Sequence, residues 1–148
     1  MGMEASAKRW EILLVEDNPA DANLFQMAMR DTDDIRVHVS CVSDGGQALN
    51  FLHKRAEHVE APRPDLIFLD LNLPIVDGRE VLERVKTDLR LVDIPIIVLS
   101  TSGSKIDISQ SYQRGANSYM VKPADVNTLF KMIHECRCYW FQTVVLNS

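Results

Sequence analysis

The chain has 148 residues, 46% of them hydrophobic and 25% charged, which fits one globular domain with a single compact core. A formal net charge of −5 without any Lys- or Arg-rich run argues against nucleic acid as the main partner, and the length leaves no room for a DNA-binding output domain. No apolar run approaches the ~20 residues of a bilayer span, and the N-terminus lacks the long apolar stretch of a signal peptide, so a cytoplasmic protein with no membrane partner is expected.

Residues 1–10 lack periodicity and read as an N-terminal tail, with Trp10 covering the start of the first strand. Residues 11–15, Glu-Ile-Leu-Leu-Val, have strand length and run directly into Glu16, Asp17 and Asn18. Asn18 suits a helix N-cap, Pro19 the first helical position and Asp21 a capping-box partner. The helix that follows turns Leu24, Met27 and Ala28 inward and ends near Arg30. A second strand over 37–42 leads through Asp44-Gly45-Gly46 into a helix carrying Ala48, Leu49 and Leu52.

Residues 66–69, Leu-Ile-Phe-Leu, are apolar without alternation, as in a parallel strand covered on both faces, and deliver Asp70 at its end. A loop over 71–77 precedes a helix opened by Gly78 with Val81, Leu82 and Val85 on one face. A fourth strand over 94–99 ends in Ser100-Thr101-Ser102, and a polar helix over 105–114 is closed by Gly115. Residues 118–121 form a short fifth strand that delivers Lys122-Pro123, and Asp125 caps a last helix striped with Val126, Leu129, Phe130 and Ile133.

Strands alternating with helices at this spacing specify an α/β fold, a doubly wound (βα)5 sandwich with a five-stranded parallel sheet and right-handed crossovers. Glu16, Asp17, Asp70, Ser100 and Lys122 then all fall at the carboxyl ends of strands, where such sheets place their working sites. Three carboxylates in one place repel unless a cation joins them. Oxygen donors without His or Cys favour a hard ion with room for water and phosphate, hence Mg²⁺. Asp17 and Asp70 are the expected direct ligands, Glu16 acts through water, and the backbone carbonyl of Asn72 completes the set. Lys122 and Ser100 can neutralise a phosphoryl group while the Asp70 carboxylate attacks phosphorus. Phosphorylated Asp70 would draw Ser100 inward, and the ring of Tyr119 would turn from outside into the vacated space.

The three cysteines suggest no disulfide framework, since Cys41 lies within a strand. His134, Cys136 and Cys138 share a helix but lack the paired spacing of a zinc site, and packed thiols are the better account.

Taken together, the acidic pair in Val15-Glu16-Asp17-Asn18, Asp70 in Phe68-Leu69-Asp70-Leu71-Asn72-Leu73-Pro74, Asp77-Gly78, Ser100, Tyr119 and Lys122-Pro123 resemble the receiver domain of two-component response regulators, over residues 11–133 or so. The resemblance implies a flavodoxin-like sandwich, phosphotransfer from a sensor histidine kinase onto Asp70, Mg²⁺ dependence, slow self-dephosphorylation and a switched surface made by the fourth helix, fifth strand and fifth helix. It implies a phosphoacceptor signalling protein rather than an enzyme. The Ser100-Thr101-Ser102 run and the aromatic tail Tyr139-Trp140-Phe141 are similar to stand-alone regulators of bacterial phytochrome kinases, especially cyanobacterial ones. Thr101 departs from the Ala of many receivers, which touches access of water to the phosphoryl group. The expected receiver spans 11–137, and the extension over 138–148 packs on the last helix or on a second subunit in a homodimer.

Within this reading, a terminal switch that binds a downstream protein and a shuttle to a histidine phosphotransfer protein use the same site. Two other classes fit less well. A flavodoxin-like electron carrier would set its flavin phosphate against Glu16 and Asp17. A haloacid-dehalogenase-type phosphatase needs an acid where Asn72 stands and a Thr at Pro74.

Overall fold

A computed structural model describes residues 8–32 and 34–146. Five strands, β1 (Arg9–Val15), β2 (Arg36–Val42), β3 (Leu66–Leu69), β4 (Ile96–Ser100) and β5 (Ser118–Val121), form one parallel sheet in the order β2-β1-β3-β4-β5. They alternate with α1 (Pro19–Ala28), α2 (Gly45–Leu52), α3 (Gly78–Lys86), α4 (Lys105–Gln113) and α5 (Val126–Cys138). The expected α/β sandwich is the fold observed. Among the described residues no helix is long and apolar enough to cross a membrane.

Alternation along the strands divides the core. Leu13, Val15, Ile67, Leu69, Ile96 and Val98 pack with residues of α2 and α3, whereas Ile12, Leu14, Leu66, Phe68, Ile97 and Leu99 pack with residues of α1 and α5. Each strand of this central trio is therefore apolar on both faces, which explains its unbroken runs of Leu, Ile and Val. Each of these five α-helices starts at a short polar cap whose side chain accepts a backbone N–H: Asn18, Asp44, Asp77, Ser104 and Asp125. Because β1 lies between β2 and β3, the chain winds outward in both directions from it, and a crevice opens beyond the carboxyl ends of β1 and β3.

Several boundaries differ from those expected. Arg9 and Trp10 belong to β1, where they pair with Arg36 and Val37, so of the expected tail residues 1–8 remain, of which 1–7 lie outside the described residues. On α1 the buried set is Ala22, Phe25 and Ala28, which leaves Met27 49% exposed on another face and ends the helix at Ala28. Val126 is 62% exposed because it is the first residue of α5, outside the stripe formed by Leu129 and Ile133. Strand β4 starts after Pro95 and includes Ser100. Beyond α5 a π-helical turn (Tyr139–Thr143) brings Phe141 onto Trp10, ring centroids 5.1 Å apart; residues 147 and 148 of the expected extension lie outside the described residues.

Candidate functional site

Three strand ends build the site. Glu16 continues the ladder from β1, its N–H donating to the Val42 carbonyl at 3.0 Å, and its side chain turns in to become 4% exposed. Asp70 follows β3 with its N–H on the Val15 carbonyl at 3.0 Å, and Lys122 follows β5 with its N–H on the Ser100 carbonyl at 2.7 Å. These ladder bonds fix three side chains relative to one another before any side-chain contact is made. Asp17, beside Glu16, is exposed, so the cluster opens to solvent on one side.

The carboxylates of Glu16, Asp17 and Asp70 each offer an oxygen within 4.8 Å of the others. Lys122 Nζ lies 2.6 Å from Glu16 Oε1, 3.0 Å from Asp21 Oδ2 and 3.5 Å from Asp70 Oδ2. Burial pushes the Glu16 carboxyl up to about 7, outweighing its bond to Lys122, and the Asp70 charge adds to the rise. For Lys122, burial pulls downward, but the bond to Glu16 and the charges of Glu16 and Asp70 win and hold it above the ordinary lysine range. One ammonium is thus shared by carboxylates that it cannot all neutralise. An all-oxygen set with residual negative charge and an open side suits a hard divalent cation.

Asp21 is a site residue that sequence reasoning assigned elsewhere. Asn18 alone caps α1, its Oδ1 accepting the N–H groups of Ala20 at 2.9 Å and Asp21 at 3.1 Å, while Glu16 Oε2 takes the Asn18 N–H at 3.2 Å. That frees the Asp21 carboxylate for Lys122. The available signal was its place in the first turn of the helix that leaves the acidic pair.

On the other flank, Ser100 is fully buried and its Oγ accepts the Ser102 N–H at 3.2 Å. The Tyr119 hydroxyl donates to the Ser102 carbonyl at 2.8 Å, and its ring is half-buried against the α2–α3 side of the core rather than free outside. Ser102 Oγ donates to Asp107 Oδ2 at 2.6 Å, and Asp107 Oδ1 meets Arg79 Nη2 at 3.2 Å. Asn72 contributes a backbone N–H to Asp70 Oδ1 at 3.2 Å. Every residue singled out on the strand ends is therefore gathered at one edge. Among the described residues the only group of three His, Cys or acidic side chains close enough to share a metal is Glu16, Asp17 and Asp70, so His134, Cys136 and Cys138 form none. Burial pushes the Cys136 thiol up to about 12.

Residues 12–134 match the model of the response regulator receiver domain. The chain is 42% identical over 135 residues to the response regulator Rcp1 of Synechocystis, covering 91% of each. The crystal structure of the Mn²⁺-bound form of Rcp1 superimposes with a TM-score of 0.90 at 40% identity, covering 94% of this chain and 99% of that one. The phosphorylated cyanobacterial phytochrome response regulator RcpA superimposes with a TM-score of 0.92 at 42% identity, covering 95% of this chain and all of that one, 100%. With its fold, its acidic strand-end cluster and this match over most of its length, the chain belongs to the response regulator receiver domain family.

Proposed function

We propose that the protein is a single-domain response regulator that takes a phosphoryl group from a sensor histidine kinase onto Asp70. The observation that carries this is the placement of one carboxylate, Asp70, 3.5 Å from a buried ammonium and within 4.8 Å of two further carboxylates. Asp17, Asp70 and the Asn72 carbonyl would hold Mg²⁺, with Glu16 acting through water, and Mn²⁺ in Rcp1 supports a divalent ion at such a site. When bound, the ion would neutralise phosphoryl oxygens and the crowded carboxylates.

The Asp70 carboxylate is the nucleophile. Its oxygen forms the new P–O bond as the phosphorus–nitrogen bond of a phosphohistidine breaks, and the departing imidazole takes up a proton from solvent. Lys122 faces the added negative charge, and Ser100, whose Oγ accepts the Ser102 N–H, turns its free O–H toward a phosphoryl oxygen by a rotamer change that gives up that bond. Release of Ser100 alters Ser102, and through the carbonyl of Ser102 it alters Tyr119. The readable consequence is a changed α4-β5-α5 surface, which presents Ile106, Val121 and Val126 to solvent. Water attack on the acyl phosphate returns the chain to its first state, so turnover chemistry is limited to its own phosphorylation and dephosphorylation.

The similarity to RcpA supports a phytochrome kinase as phosphodonor. A protein target at the switched surface, self-association through that surface and the C-terminal segment, residence in the cytoplasm and division into tail, receiver at 11–137 and extension belong to the same proposal. Incubation with Mg²⁺ and acetyl phosphate followed by intact mass measurement tests its centre. One added phosphate is expected, lost with chelator and absent in Asp70→Asn; labelling that survives in the variant removes the assignment. Sedimentation before and after phosphorylation tests self-association, and a monomer in both states removes that part.

A further inference from the structure

The two edges of the sheet are guarded unequally. Each edge strand turns alternate backbone N–H and C=O groups outward, where a further strand can pair with them unless something intervenes. At the β5 edge the Tyr119 N–H donates to the Tyr112 hydroxyl of α4 at 3.1 Å. In β2 the Val42 carbonyl takes the Glu16 N–H, so residues of even number face β1, and Val37, Val39 and Cys41 turn their backbone groups away from the sheet. The Val37 N–H is taken by Asp31 Oδ1 at 2.7 Å. Among the described residues nothing pairs with the N–H or C=O of Val39 or Cys41. Nor does β2 carry a Pro, a Lys or a bulge, the usual deterrents to edge pairing: Arg-Val-His-Val-Ser-Cys-Val runs in unbroken register with β1.

The open groups are self-complementary. Around a two-fold axis through Ser40, an antiparallel second β2 sets Val39 opposite Cys41 and Cys41 opposite Val39. Each such pair exchanges both N–H···O=C bonds, so every open group of these residues is used on both copies, and Asp31 keeps the Val37 N–H. A two-fold through Val39 would instead demand that N–H. In the Ser40 register the side chains agree as well. Val39 packs into the core on the α1 and α5 face, Cys41 is exposed, and Val39 of the other copy would cover it. His38 meets Val42, and exposed Arg36 comes toward Asp44 of the other copy, where the backbone is still extended.

We propose that two copies of this chain pair antiparallel through β2 about Ser40, joining their sheets into one. Because β2 and β5 are opposite edges, this contact is separate from the α4-β5-α5 surface and owes nothing to phosphorylation of Asp70.

Disulfide trapping and hydrogen exchange in EDTA, without phosphodonor, test the proposal. In a chain with Cys41→Ser, Cys136→Ser and Cys138→Ser, Ser40→Cys should give a linked dimer on oxidation, since residues opposite in a non-hydrogen-bonded pair have Cα atoms about 4.5 Å apart. His38→Cys in the same background should not link, its counterpart lying ~13 Å along the strand. Adding Val39→Pro, which removes only an outward N–H and spares the ladder to β1, should lower the Ser40→Cys yield at least about tenfold. In the wild type the Val39 and Cys41 amides should exchange more slowly as chain concentration rises, while sedimentation moves toward the mass of two chains. Fast exchange at both amides at every concentration overturns the proposal, even if a dimer forms, because that dimer uses another surface. So does linking of His38→Cys as readily as Ser40→Cys. Should Val39→Pro not fold, the trapping pair and the exchange decide.

Discussion

Lys122 Nζ lies 2.6 Å from Glu16 Oε1 and 3.5 Å from Asp70 Oδ2, so the ammonium is held chiefly by the carboxylate that is not the proposed nucleophile. Asp70 keeps one oxygen on the Asn72 N–H at 3.2 Å and is otherwise only loosely engaged. A reactive carboxylate with a cation nearby but not clamped to it can approach phosphorus without first breaking a tight ion pair.

Removing that cation should do damage of two kinds. In Lys122→Met the acidic cluster is left uncompensated, and breaking a buried pair in this way costs about 3–5 kcal/mol. The loss should be largest at pH 8 and smaller at pH 5, because the carboxyls then relieve their repulsion by taking up protons. Urea unfolding at the two pH values checks it, and acetyl phosphate labelling should fall below detection in the same variant.

The wild type should show the related pH dependence. Glu16 has a folded pKa of about 7 against an ordinary 4.5, raised by burial, so the folded state binds a proton more tightly than the unfolded one. Its contribution is fully present below the unfolded value and is lost as pH climbs through 4.5 to about 7. In chelator, stability should therefore decline over that window. Added Mg²⁺ competes with the proton, so the metal-induced rise in melting temperature should be larger at pH 8 than at pH 6. An equal rise at both values would contradict a protonated Glu16 in the metal-free site.

Gly78 sits under the Asp70 backbone. A Cβ there would stand 2.1 Å from the Asp70 carbonyl oxygen and 2.6 Å from Leu71 Cα, both backbone atoms that cannot swing aside. Its own N–H donates to the Leu71 carbonyl at 2.8 Å, tying the start of α3 to the end of β3. Gly78→Ala should push the chain away at Asp70, destabilise by about 1–3 kcal/mol as overpacking does, and reduce phosphorylation more than stability alone explains. Gly103→Ala is the control, since its nearest atom is a Val121 methyl at 3.9 Å.

How far the sequence speaks for this site depends on whether each residue's role is local. Asp70 and Glu16 follow unbroken apolar runs and Lys122 the short Ser-Tyr-Met-Val strand, so strand identity alone puts them at one edge. The caps at Asn18 and Asp125 are likewise local and stand where they were expected. Asp21 was misassigned because its partner is 101 residues away, and a local capping rule competes for it. Arg79 was missed as a member of the loop network for the same reason, reaching Asp107 across 28 residues, and Ser102 because its carbonyl meets the Tyr119 hydroxyl across 17. Nor does any periodicity reveal that Ile75, 83% exposed, adopts a φ of 70° in the loop after Asp70, a conformation a β-branched residue rarely takes.

The loop network itself makes the last prediction. Asp107 holds three elements together: it accepts from Ser102 Oγ at 2.6 Å, pairs with Arg79 at the start of α3, and lies in the first turn of α4. Those same partners, Ser102 first and Arg79 second, hold its carboxyl below the ordinary aspartate range, so the latch is present above that range and is lost as pH falls through the lowered value. Ser102 in turn binds Ser100 by its N–H and Tyr119 by its carbonyl. In Asp107→Ala the β4–α4 loop should lose hydrogen-exchange protection at Ser102 to Ile106 by about tenfold, while the sheet amides stay unchanged. Tyr119→Phe removes only the hydroxyl bond and should cost at most about 1 kcal/mol, with increased exchange confined to the same loop. If both substitutions leave loop exchange as it is in the wild type, Ser102 does not join the two switch residues, and the path from Asp70 to the α4-β5-α5 surface must run elsewhere.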